Sequence, residues 1–265
     1  MSLARRHRER ILAAQTISAA VAPAGGVAVA PAAVTLRAAG AAKASPADLA
    51  ARQIGLRLTH DLRRLKEIRS IDLKIAAKRE MLPEYRSWVN GILAADAGVG
   101  TGLAAEVLPT CMVWLIDIGD YDEALDLAAF VLRHKVAMPS RYQRDAATIV
   151  VEEIADAAIR AQNIGDRFSL VTLRAVEELT VCHDIHDPVR AKLHKAIGVE
   201  QLATGETLPA EDSRPMLEQA IASLTEAQRL NDRIGVKDKI KRANKLLAAV
   251  AAAFSANEQG GDTAA

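Results

Sequence analysis

Cysteine, aromatic residues and an excess of either charge are what this sequence has least of. Its 265 residues contain two cysteines, Cys111 and Cys182, about seventy positions apart, which gives no disulfide framework and two reduced thiols. Phe, Trp and Tyr together make 3% of the chain, and strand-type alternation of β-branched residues is scarce, which excludes an all-β sandwich or barrel. No run of 18 apolar residues occurs, so no membrane-spanning helix is expected. Lys and Arg number 34 and Asp and Glu 33, and a composition of 25% charged and 50% hydrophobic residues excludes a wholly disordered chain. What remains is an alanine-rich, all-α chain long enough for one or two domains. The basic opening MSLARRHRER looks superficially like the start of a leader, but Pro23, Gly25, Gly26 and Pro31 interrupt the apolar part and a cytosolic placement is expected.

The near-neutral total hides an asymmetry. Residues 1–80 carry fifteen Lys and Arg against six Asp and Glu, so the rest of the chain is net acidic. A basic front fits a polyanion-binding segment attached to a helical assembly module, or a merely solvated basic face. Residues 1–44 read as a basic, Ala/Gly/Pro-rich flexible arm with few long apolar side chains to fill a core. Order begins at Ser45, where Ser-Pro-Ala-Asp places a hydroxyl at the N-cap, Pro46 at the first helical position and Asp48 in the first turn. From there Ile54, Leu58, Leu62, Leu65, Ile68, Ile71 and Ile75 recur at a mean step of about 3.5, the seam spacing of a coiled coil. This predicts a single basic helix over 45–82, roughly 50 Å long, whose seam serves self-association.

Past Pro83 the pattern predicts a helical-hairpin body over 83–254, with amphipathic helices near 84–97, 104–118, 121–136, 144–163, 167–182, 188–203, 213–231 and 236–254. The final residues, 255–265, read as a disordered tail. Trp114, Gly119, Tyr121 and Ala124 fall near the offsets of a tetratricopeptide-type repeat, so the hairpins read as irregular and partly tetratricopeptide-like. A protein-binding scaffold without a nucleic-acid role is the alternative function.

Motor chemistry is not visible: no G-x-x-x-x-G-K-[ST] occurs, and the cluster Gly98, Gly100, Gly102 lacks the lysine and hydroxyl that hold phosphate and magnesium. Nuclease chemistry needs carboxylates converging on divalent ions. Asp122 and Asp126 share a helix face and are the weak candidates, against a structural reading in which Asp120 and Glu123 form a capping box. Cys182, His183 and His186 lack a paired-ligand motif, and no metal site is assigned to them. Trp88 and Trp114 sit among apolar neighbours and read as core.

The ordered set IAAKREMLPEYRSWVNGIL, VWLIDIGDYDEALDLAAFVLRHKVAMPSRYQR, VRAKLHKAIG and GVKDKIKR, over roughly residues 55–245, resembles the small terminase subunit of peduovirus-type temperate tailed phages. The resemblance implies a homo-oligomer, such as a ring, working with a separate large ATPase subunit to cut double-stranded viral DNA and package it into procapsids in the bacterial cytoplasm. The family is also described as the terminase endonuclease subunit, which leaves enzymatic activity of the isolated chain open. No cofactor is expected, and magnesium only if the subunit itself cleaves DNA. The chain departs from the family in its longer Ala/Gly/Pro-rich arm and in lacking a long basic tail. Together with the charge split, the resemblance points to Arg5, Arg6, Arg8 and Arg10 and to Arg57, Arg63, Arg64, Lys66, Arg69, Lys74, Lys78 and Arg79 as contacts for DNA phosphates.

Overall fold

The computed structural model describes residues 3–21 and 44–261, and among these every regular element is helical. The chain divides into two compact units, residues 1–143 and 144–265.

The N-terminal unit contains α1 (Leu3–Val21), α2 (Pro46–Glu67), α3 (Ile71–Met81), α4 (Arg86–Ala95), α5 (Val107–Ile118) and α6 (Tyr121–Arg133), with 3-10 turns at Leu82–Glu84 and Gly102–Glu106. The start of α2 follows the sequence signal. The Ser45 hydroxyl accepts the Asp48 N–H at 3.1 Å, and the Asp48 carboxylate accepts the Ser45 N–H at 3.0 Å. The end of α2 does not, because the predicted single helix over 45–82 is broken. Ile68 leaves the helix in an extended conformation, and Ser70 caps a new one by accepting the Leu73 N–H. A serine able to satisfy backbone donors offers the chain a local alternative to continued helix, and the acid that follows, Asp72, favours a helix start.

This break changes the meaning of the apolar seam. Ile54, Leu58 and Leu65 are buried inside the unit, Leu62, Ile68 and Ile75 are half-buried, and Ile71 stands 74% exposed. The stripe faces the chain's own core for most of its length.

Two further corrections concern the termini. Residues 3–21, read as part of a flexible arm, form α1, which buries Ala13 and Ile17 and lies against α4. Among its described side chains only Ala13 and Ile17 are buried, so no strong apolar period marked it. Residues 22–43 of that arm lie outside the described residues. At the other end α11 continues to Gly261, past its predicted end at 254 and through most of the predicted tail, whose residues 262–265 also lie outside the described residues.

Trp88 and Trp114 are core residues, as predicted. Trp114 meets Tyr85 edge to face at 5.9 Å, and the Tyr85 hydroxyl donates to Asp61 on α2 at 2.6 Å. Burial, and then the Asp61 hydrogen bond and charge, push the Tyr85 phenol well above its ordinary pKa, so it remains a donor.

The C-terminal unit contains α7 (Ala146–Asn163), α8 (Leu170–Thr180), α9 (Asp187–Thr207), α10 (Ala210–Leu230) and α11 (Lys237–Gly261). Helices α9 and α10 approach closely at Gly198, where an added Cβ would lie 2.7 Å from the Leu224 Cγ. Leu202, Leu217, Ala220 and Ala243 form a core that Leu246, Leu247 and Val250 of α11 cover.

Candidate nucleic-acid interface

Helical spacing in α1 places Arg6 and Arg10 four residues apart, with His7 beside them. The Arg10 guanidinium lies 3.3 Å from the His7 Nδ1. All three line an open depression of about 450 Å³ with Pro83, Arg86, Ser87 and Asn90. The Ser87 hydroxyl donates to the Arg6 carbonyl and joins the two walls.

The cations here are of two kinds. Arg86 is held by Glu123 in a two-pronged contact at 2.6 and 3.2 Å, and that carboxylate keeps the guanidinium above its ordinary pKa. Arg6, Arg8 and Arg10 are exposed and have no carboxylate partner among the described residues, while Arg5 has the loose neighbour Glu9 at 3.9 Å.

The same division runs through α2 and α3. Arg57 donates to the Glu84 carbonyl at 3.0 Å, with the Glu84 carboxylate at 3.5 Å. Arg64 reaches Glu80 at 2.8 Å and ties the two helices together. Lys78 pairs with Asp117, and Arg79 donates to the Ile118 carbonyl at 3.0 Å, so both serve the C-terminal end of α5. These four of the predicted DNA contacts are therefore engaged in holding the unit together. Arg63, Lys66 and Arg69, all exposed, and Lys74, half-exposed, have no ion-pair partner among the described residues. At 100° per residue Arg63 and Lys66 share the solvent face of α2 with Arg52, a cation that sequence reasoning did not select. His7, Ser87 and Asn90 were also missed. Reading residues 3–21 as helical would have placed His7 beside Arg10, but Ser87 and Asn90 come to the site only through tertiary packing.

The candidate catalytic carboxylates do not line the depression. Asp122 and Asp126 are exposed on α6, and no group of three His, Cys, Asp or Glu among the described residues is placed to hold a metal ion. The capping box expected beside them is absent. Asp120 makes no side-chain cap bond, and Glu123 is drawn away to Arg86. A partner thirty-seven residues distant in sequence wins because it offers two charge-assisted hydrogen bonds in place of one neutral donor.

The described residues are helical in every regular element, and their N-terminal unit carries a cationic, partly unpaired surface. Comparison with known proteins narrows this. Residues 55–188 match the family of the phage small terminase subunit. The chain is 36% identical over 195 residues to the "terminase, endonuclease subunit" of Escherichia phage P2, covering 74% of this chain and 73% of that protein. It is 25% identical over 198 residues to the "probable terminase, endonuclease subunit" of Haemophilus phage HP1, covering 73% and 69%. No solved structure matches it. The chain belongs to the phage small terminase subunit family, and its role lies in phage DNA packaging. No helix among the described residues is long and apolar enough to cross a membrane.

Proposed function

We propose that this chain is a DNA-engaging, self-assembling subunit that acts with a large ATPase subunit in the host cytoplasm to begin the cutting and packaging of viral DNA. The observation that carries the reading is the division among the basic residues. Arg57, Arg64, Arg86 and Lys78 are neutralised within the unit, while Arg6, Arg8, Arg10, Arg63, Lys66 and Arg69 have no carboxylate partner among the described residues. Duplex phosphates complete these groups, with affinity driven by counterion release and little dependence on base sequence. Cutting, the activity in the name of the P2 relative, is assigned to the assembled complex.

The test is fluorescence anisotropy of a labelled duplex over a salt series, with the full chain and with the variant Arg6→Glu, Arg10→Glu, Arg63→Glu, Lys66→Glu. Binding by the wild type should weaken steeply with salt. The variant should bind at least about tenfold more weakly, with a log–log slope shallower by about 0.9 for each phosphate that is no longer neutralised. With magnesium added, the isolated chain should leave the duplex intact. Equal affinity and slope for the two proteins, or cutting by the chain alone, would refute the reading.

Self-association is assigned to the elbow between α2 and α3. There Ile71 and Leu73 stand 74% and 62% exposed, whereas the more N-terminal part of the seam is closed within the chain. Ile71→Asp with Leu73→Asp should reduce the assembly to monomer in sedimentation velocity without changing the circular dichroism. An unchanged mass would exclude the elbow as the interface.

A further inference from the structure

The acidic balance of the C-terminal half conceals a second cationic face. On α11, Lys237, Lys241 and Lys245 follow at steps of four residues, about 6 Å each along the axis, and all three are exposed. They lie on the side of the helix away from Ala243, Leu247 and Val250, which pack into the core. None of the three has an ion-pair partner among the described residues, whereas Arg242, on the flank of the same helix, is tied to Glu206 at 2.6 Å. Asp238 is the only acid between residues 237 and 250.

The head of this helix concentrates positive charge further. Lys195 of α9 donates to the Ile234 carbonyl at 2.9 Å, and burial, followed by the neighbouring Lys239 charge, pushes its ammonium below the ordinary lysine pKa. The N-terminal end of α11 adds the positive pole of the helix dipole to the same region. Asp238 offsets only part of this charge, and like charges held together in excess of their carboxylates are stabilised by an external anion.

We infer that the exposed lysine face of α11 is a second docking point for the DNA backbone, separate from the surface on the N-terminal unit. The inference rests on the reading that the protein engages DNA. Phosphate fits this face better than a protein partner does. Between and beyond the lysines stand Asn244 and Ala248, both exposed, and among the described residues 237–250 no aromatic or large apolar side chain is exposed to anchor a protein interface. A row of ammonium groups supplies point charges without the planar fork of arginine, which suits backbone binding without base reading.

The test uses the full chain and the same labelled duplex and salt series. Lys237→Glu, Lys241→Glu, Lys245→Glu is compared with the charge-matched control Arg160→Glu, Arg214→Glu, Arg229→Glu, whose sites are exposed elsewhere on the unit. The α11 variant should bind about tenfold more weakly than the control, with a salt slope shallower by about 2 to 3, as expected when three phosphates are released. Replacing the same lysines by glutamine, which perturbs folding less, should move affinity and slope in the same direction. An α11 variant that matches its control overturns the inference. If the N-terminal variant alone loses affinity, the reading of DNA engagement stands and the α11 site falls. If the wild type does not bind duplex DNA, both fall. If the α11 variant keeps its DNA affinity but no longer assembles with the large subunit, the face belongs to an acidic protein surface instead.

Discussion

Replacing Glu200 by alanine should lower the stability of the C-terminal unit by about 3 kcal/mol, a value set by the hydrogen bonds that a buried carboxylate would no longer accept. Glu200 lies on α9 and is 1% exposed. Its Oε2 accepts from the Arg167 guanidinium at 2.8 Å, and its Oε1 accepts from the Gln162 amide at 2.9 Å and from the Phe168 N–H at 3.1 Å. Arg167 continues to the Thr204 hydroxyl at 2.7 Å. One carboxylate thus fastens the connection between α7 and α8 onto α9.

Removing it does not strand every donor. The Arg167 side chain is 53% exposed and turns to water, and the Gln162 amide keeps its bond to the Ala196 carbonyl at 2.9 Å. The main loss is therefore the acceptor for the Phe168 N–H and the charge-assisted part of the other two bonds. This places the effect below the upper end of the range for a broken buried ion pair. Glu200→Gln should fall between wild type and alanine, because one amide oxygen still accepts a donor. Urea unfolding followed by circular dichroism measures both. A Glu200→Ala midpoint equivalent to less than about 0.5 kcal/mol of destabilisation would mean that the connection is not held by this carboxylate.

Glu200 also marks where sequence reasoning stops. In the run KAIGVEQLATGE it is one charged residue in an amphipathic helix, and a glutamate is buried only where partners neutralise it. Those partners come from the preceding connection, and no local period predicts them. Most helices of the body were legible because an apolar period or a continuous apolar run stands between short connections, and Ser45 was legible because its cap is a local interaction. The break at Ile68 to Ser70 was not, because the apolar spacing runs on through it and only Ser70 and the acid Asp72 signal a new start. For the site, the sequence located the basic residues but could not sort them. Arg64 and Arg63 are neighbours of the same type, yet one is engaged by Glu80 of α3 and the other faces solvent without an ion-pair partner among the described residues. Asp122 and Asp126 were legible as a shared helix face, but what stands beside that face is a matter of tertiary packing.

Replacing Gly91 by leucine should detach α1 from the N-terminal unit and with it the cations Arg6 and Arg10. Helix propensity alone predicts the opposite, since glycine within a helix is about 1 kcal/mol less favourable than alanine. The packing decides otherwise. A Cβ at Gly91 would collide with the Arg10 carbonyl oxygen and lie 2.7 Å from the Ala13 Cβ, so α4 meets the backbone of α1 directly. A backbone carbonyl cannot turn aside as a flexible side chain does. Overpacking of this kind costs typically about 1–3 kcal/mol. Against it stand the burial of Ala13 and Ile17, the Ser87 hydrogen bond to the Arg6 carbonyl and the bond that the Thr16 hydroxyl donates to the Ala47 carbonyl of α2 at 3.4 Å. The two are comparable, which makes dissociation of α1 an easier response than distortion of α4. Trypsin should then cleave among Arg5, Arg6, Arg8 and Arg10 many times faster than in the wild type. Duplex affinity should fall by about tenfold, while the C-terminal unit unfolds at its wild-type midpoint. Gly91→Ala should move protection and affinity in the same direction by less. Undiminished protection of the arginines in Gly91→Leu would mean that α1 is held by more than this close approach, and that its cations reach DNA from a seat that the glycine does not define.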